Sequence, residues 1–190
     1  MARPRSDDKR NAILSAATEV VAREGLSAPT AKIARTANVA EGTLFTYFLS
    51  KDALLNELYL TLRAELKDVM MAAYPRSRSV KTKIRHAWQK YLDWGVAYPD
   101  KRKVLAQLGV SDRITPHTRA AGALVFSELT ALLDESIAGG ALRDHPADFV
   151  SAIMSALAET TMDFMIRDVA RAAQYSESGF DAFWNAIAKH

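Results

Sequence analysis

From Thr30 to Leu55 the chain runs TAKIARTANVAEGTLFTYFLSKDALL. Pro29 and Thr30 suit a first helical turn, and Ile33, Ala34 and Ala37 give the apolar side of a short helix. Asn38 follows, one of the few non-glycine residues that tolerates a left-handed backbone, so the chain can turn there. Val39, Leu44 and Phe48 are the apolar positions of a second short segment. Leu44 and Phe48, four apart, anchor it inward, which leaves Gly42, Thr43, Phe45, Thr46 and Tyr47 to face outward or flank. A helical glycine costs roughly 1 kcal/mol against alanine, so Gly42 is a poor choice unless something must approach closely. An outward Phe45 beside Tyr47 is odd in water and sensible against thymine methyls and sugars. Two short helices with a tight turn between them, the second slim on its outer face, meet the physical requirement of a helix-turn-helix entering a major groove.

Upstream, Ile13, Leu14, Ala17, Val20 and Val21 recur at helical spacing and Gly25 is a C-terminal stop. Downstream, Ser50 is a good N-cap for a long fourth helix carrying Leu54, Leu55, Leu58, Leu62, Leu66, Val69 and Met70, broken by Pro75 and Arg76-Ser77-Arg78-Ser79. A fifth helix carries Ile84, Trp88, Tyr91, Leu92 and Gly95 and ends at Pro99; Val104, Leu105 and Leu108 mark a short sixth. A seventh is expected from Pro116 to Gly139-Gly140. An eighth runs from Phe149 to about Ala172, and a final amphipathic segment carries Phe180, Phe183, Trp184 and Ile187. No stretch alternates with strand period. The expected fold is therefore all-α, an N-terminal three-helix head (residues 1–51) joined by the long helix to a helical body (residues 52–190).

Composition supports this. Hydrophobic residues are 49% and charged residues 25%, which is globular, and with only 8 Gly and 6 Pro the chain favours helices over turns. There is no cysteine, which removes disulfides, thiol catalysis and thiolate metal sites and is compatible with a reducing cytoplasm. Residues 1–51 hold eight bases and five acids, while the rest holds seventeen of each, so the whole formal charge of +3 sits in the head. That is an electrostatic footprint for phosphate. The N-terminus lacks the apolar core of a signal peptide, and no apolar run is read as approaching the ~20 residues of a bilayer span, so no membrane partner is expected. The histidines His86, His117, His145 and His190 share no metal-ligand spacing, and there is no phosphate-cradling glycine loop or nucleophile motif. Neither an enzyme nor a cofactor nor a metal is expected.

Residues 9–55 resemble the DNA-binding head of the TetR family of bacterial transcriptional regulators. The resemblance rests on Thr30, Ile33-Ala34, Val39, Gly42-Thr43-Leu44-Phe45-Thr46-Tyr47-Phe48 and Lys51-Asp52-Ala53-Leu54-Leu55. It departs at Asn38, a turn position often Gly, and at Ala40 and Glu41, where the family often has a small hydroxyl and a base. The resemblance implies phosphate-positioning roles for Thr30, Tyr47 and Lys51, and a groove-facing set of Gly42, Thr43, Phe45 and Thr46. Arg3, Arg5, Lys9 and Arg10 could reach an adjacent minor groove as a basic arm.

It further implies a body that holds a small-molecule pocket and dimerises through its last two helices. The eighth segment suits a dimer on its own physics, since a helix apolar on more than one face must bury more than one face. Ala152, Ser155, Ala156 and Thr161 allow close approach, and Phe180 and Trp184 add apolar area. Leu62, Leu66, Trp88, Tyr91, Trp94, Phe126, Met162 and Met165 are the candidates to line an effector pocket. The function implied is a cytoplasmic repressor that binds a palindromic operator in double-stranded DNA as a homodimer and is released by a small, largely apolar effector. Two other readings compete: a DNA-binding regulator without an effector, and a helical interaction module that has lost DNA binding.

Overall fold

The computed structural model describes residues 7–137 and 142–187, with residues 147 and 148 described by their backbone alone. Arg3 and Arg5 of the basic arm, the Gly139-Gly140 stop and His190 lie outside those residues. The described chain is helical and contains no strand: α1 Asp7–Glu24, α2 Thr30–Thr36, α3 Glu41–Tyr47, α4 Lys51–Met71, α5 Val80–Ala97, α6 Pro99–Gly109, α7 Pro116–Leu124, α8 Ser127–Ile137, α9 Ala147–Arg167 and α10 Ala172–Ile187. A 3-10 turn, Val169–Arg171, joins the last two.

The chain divides into two compact units. One comprises the chain through Ala64 together with Tyr98–Ala123, and the other Glu65–Ala97 together with Leu124 onward. The first contains residues 1–51 and also takes in the first two-thirds of α4, α6 and α7.

In the first unit, α1 contributes Ile13, Leu14, Ala17, Val20 and Val21 to a single core with Ile33 and Ala34 of α2, Leu44 of α3 and Phe48. Leu54, Leu55, Leu58 and Leu62 of α4 and Val104 and Leu108 of α6 complete it. Each of the leucine, isoleucine, valine and phenylalanine side chains among them, fully buried, stabilises by about 1.5–3 kcal/mol. That matters most for α2 and α3, seven residues each and too short to hold themselves. The expected boundaries are made by specific chemistry. Gly25 ends α1 at φ 81°. Ser50 caps α4, its Oγ accepting the Ala53 N–H at 3.0 Å.

In the second unit the core is aromatic and methionine-rich. Trp88 of α5 lies parallel to Phe183 of α10, centroids 6.0 Å apart and planes 6° apart, and its indole N–H donates to the Ser176 carbonyl at 3.2 Å. Met162 and Ala158 of α9, Phe180 and Ile187 of α10 and Leu133 of α8 fill the space around it. Gly179 is needed where α10 meets α9: a Cβ there would fall 2.4 Å from Thr161 Oγ1 and 3.0 Å from the Trp88 ring.

Two expectations are corrected. The seventh helix, read as continuous to Gly139, is two helices, because Val125 and Phe126 form a turn. Just before that turn the Gly122 carbonyl accepts from Arg63 Nε at 2.7 Å. A Cβ at Gly122 would also lie 2.6 Å from the Tyr59 ring. The second correction concerns α9, whose segment Phe149–Arg167 does reach the length and apolarity of a membrane span, with a mean hydropathy of 1.3. It packs on α5, α8 and α10, and carries Glu159 and Asp163 in its second half.

Candidate nucleic-acid interface

The turn between α2 and α3 is built as the residue types dictate. Asn38 takes φ 54°. Its N–H donates to the Arg35 carbonyl at 3.0 Å and the Val39 N–H to the Ala34 carbonyl at 3.0 Å, the paired bonds by which a left-handed residue closes a helix. With Leu44 and Phe48 buried, α3 turns its opposite side to solvent. Gly42 and Thr46 are exposed, Thr43 is half-buried, and Phe45 is 41% exposed. Tyr47 packs at the edge of the core and is half-buried. A Cβ on Gly42 would meet nothing within 4 Å, so nothing inside the protein requires a glycine there. Leu49, 89% exposed just beyond α3, is an apolar residue that sequence reading missed.

The hydroxyls are already engaged. Thr46 Oγ1 donates to the Gly42 carbonyl at 3.0 Å, which leaves its methyl and lone pairs for the outside. Thr30 Oγ1 donates to Glu41 Oε1 at 2.7 Å. A threonine has one hydroxyl proton, and in this arrangement that of Thr30 is given to Glu41.

Lys51 opens α4 inside a polar cluster. Arg113 donates to Asp52 Oδ1 at 2.8 Å. Asn56 donates to the Asp52 carbonyl at 2.7 Å and the Arg113 carbonyl at 2.8 Å, and accepts from Thr115 N–H at 3.0 Å. Burial first, and then the neighbouring Arg113, hold the Lys51 ammonium below its usual pKa, with Asp52 opposing. An anion placed beside Lys51 and Arg113 would relieve that repulsion. Arg113 and Asn56, 57 residues apart, gave no local signal in the sequence. Of the basic arm, Arg10 is paired with Glu57, while Lys9 is exposed at the start of α1.

The eight effector-pocket candidates fall in both units. Leu62 belongs to the first core, whereas Trp88, Met162 and Met165 are packed inside the second with Tyr91 at its edge. Leu66 is buried, and Phe126 sits half-buried in the turn before α8. The polar ends of Tyr91 and Trp94 donate to Glu159 Oε1 and Glu65 Oε1, each at 3.0 Å. The dimer candidates divide as well. Ala152, Ser155 and Ala156 are exposed on α9. Thr161 and Phe180 are buried in their own unit, and half-buried Trp184 stacks on Phe180 with Lys81 over its ring. The exposed residues of α9 include Phe149, Ala152, Ser155, Ala156, Thr160 and Phe164.

Residues 13–58 match the model of the bacterial regulatory proteins of the tetR family. The chain is 26% identical over 156 residues, 78% of its length and 80% of the relative's, to the uncharacterized HTH-type transcriptional regulator YhgD of Bacillus subtilis (strain 168). A crystal structure of a putative tetR family transcription regulator from Shewanella sp. PV-4 matches with a TM-score of 0.86 at 27% identity, covering 98% of this chain and 100% of that one. The fold is also that of a transcriptional regulator FadR from Bacillus subtilis in complex with stearoyl-CoA, with a TM-score of 0.69 at 18% identity over 93% and 98% of the two chains.

Proposed function

The chain is a TetR-family transcriptional regulator, and on that premise we propose that it represses transcription in the cytoplasm by binding a palindromic operator as a homodimer and letting go when a small, largely apolar effector binds. The observation that carries the DNA-binding part is the outer side of α3. It combines a glycine that no internal contact demands with a Phe45 ring left 41% exposed. Neither is favourable in water, and both suit a helix laid against base edges and sugars. Thr43 and Thr46 flank them, Tyr47 and Lys51 sit where phosphates would pass, and Arg113 adds a second cation beside Lys51.

A dimer follows from reading two half-sites. The open side of α9, with Phe149 and Phe164 47% and 44% exposed on either side of Ala152 and Ala156, supports a second copy as the cover. A fold shared with a protein solved in complex with stearoyl-CoA supports an apolar effector. To lower operator affinity a hundredfold, an effector must bind the released state about 2.7 kcal/mol more tightly, and operator must weaken effector binding by the same factor.

The test is Gly42→Ala. In the free protein it raises stability by up to about 1 kcal/mol, because alanine is the better helix former and the added methyl has open space. Binding to DNA from the region upstream of its own gene, followed by gel shift, weakens at least several-fold. A variant that is more stable and binds that DNA as well as the wild type would remove α3 from the interface.

A further inference from the structure

We propose that Glu41 is a specificity-determining residue that accepts a hydrogen bond from the exocyclic amino group of one cytosine in each half-site, and that Thr30 positions it. The inference rests on the DNA-binding reading above. Glu41 is the first residue of α3 and its side chain is exposed. Its carboxylate does not float free: Thr30 Oγ1, from the start of α2, donates to Oε1 at 2.7 Å. One carboxylate oxygen is thus pinned across the helix-turn-helix, and the other lone pairs remain to accept.

The space beside it suits a base edge. An open groove of about 400 Å³ is lined by the small side chains of Ala31, Ala34 and Ala40, by Arg35, and by Glu41 itself. In a helix that reads the major groove, residues at its beginning reach the base edges. A carboxylate there is selective because it has acceptors alone. Phosphates repel it, which weakens binding to DNA of any sequence. Guanine presents N7 and O6 and thymine presents O4, all acceptors, and both are refused. Adenine offers its N6 amino group beside the N7 acceptor, so attraction is offset by repulsion. Cytosine offers N4–H₂ and has no acceptor of its own on its major-groove edge, and is the base that rewards Glu41.

Site selection from randomised duplexes with the full chain tests this, using the wild type, Glu41→Gln and Thr30→Val. The wild type enriches cytosine at one position of each half-site, and replacing that base costs about tenfold in affinity. Glu41→Gln moves the preference at that position alone to adenine, whose N6 and N7 match the amide's acceptor and donor. It also binds random DNA more tightly, having lost a negative charge. Thr30→Val, of nearly the same shape, blunts the cytosine preference without changing the salt dependence. A fall in the salt slope of about one unit for Thr30→Val would make Thr30 a phosphate contact and overturn its positioning role. Identical base preferences for Glu41→Gln and wild type, with both melting normally, would overturn the proposal while leaving DNA binding intact. A wild type that selects no sequence at all would instead overturn the functional reading on which the proposal stands.

Discussion

The two units of this chain are held together by different materials. The first is packed with leucine, isoleucine, valine and alanine around a single phenylalanine and Tyr59, whereas the second is organised about Trp88, Phe180, Phe183, Met162 and Met165. Small aliphatic side chains let helices of seven residues approach closely enough to be held by their neighbours, since such helices have no stability of their own. Long helices can be held apart by large rings, with one indole reaching both a ring partner and a carbonyl. In the first unit, each short helix has room for one or two inward anchors, so whatever else it carries faces outward and is available for binding. In the second, many large residues compete for the inside, and spacing alone does not say which of them will win.

The comparison is most strongly tested at Trp88. Trp88→Ala lowers the stability of the second unit by about 3–5 kcal/mol, read as a shift in the denaturant midpoint, because it removes a buried ring stacked on Phe183 and leaves a cavity. A loss below about 1 kcal/mol would mean that the ring faces open space, as the pocket reading supposed.

Lys51→Ala acts on the other unit and on function. It weakens binding to every DNA sequence alike and lowers the slope of log affinity against log salt by about one unit, the signature of one lost phosphate contact. The free protein is not destabilised, because burial and Arg113 already disfavour the charged ammonium. A changed base preference with an unaltered slope would assign Lys51 the wrong role.

The smallest effect lies at a backbone angle the two units share. Asn38 and Ala73 both have φ 54°, but asparagine tolerates that region and alanine does not. Ala73→Gly therefore raises the unfolding free energy by about 0.5–1 kcal/mol, read from the denaturation midpoint, and Asn38→Ala lowers it by a similar amount. Equal effects of the same sign would break the symmetry of the argument.

Much of the molecule was legible in the chain itself. Helical spacing, Gly25, Asn38, Pro99 and Ser50 marked most helix boundaries, because a cap or a left-handed turn depends on the residue at that position and its close neighbours. The outward side of α3 was legible for the same reason, with Leu44 and Phe48 fixing the rotation of a short helix and leaving Gly42 and Phe45 outside. The break between α7 and α8 was not, and the contact beside it, Arg63 on the Gly122 carbonyl, joins residues 59 positions apart.

What the sequence determined alone is the helical register, the turn and the residue chemistry of the head, all set within a few positions along the backbone. Tertiary structure alone decided that Thr30 holds Glu41, that Arg113 stands beside Lys51, and that Trp88, Met162 and Phe180 gather in one buried cluster. Those outcomes depend on which side chains meet after the chain has closed loops of 11 to 92 residues, and local periodicity carries no record of such meetings.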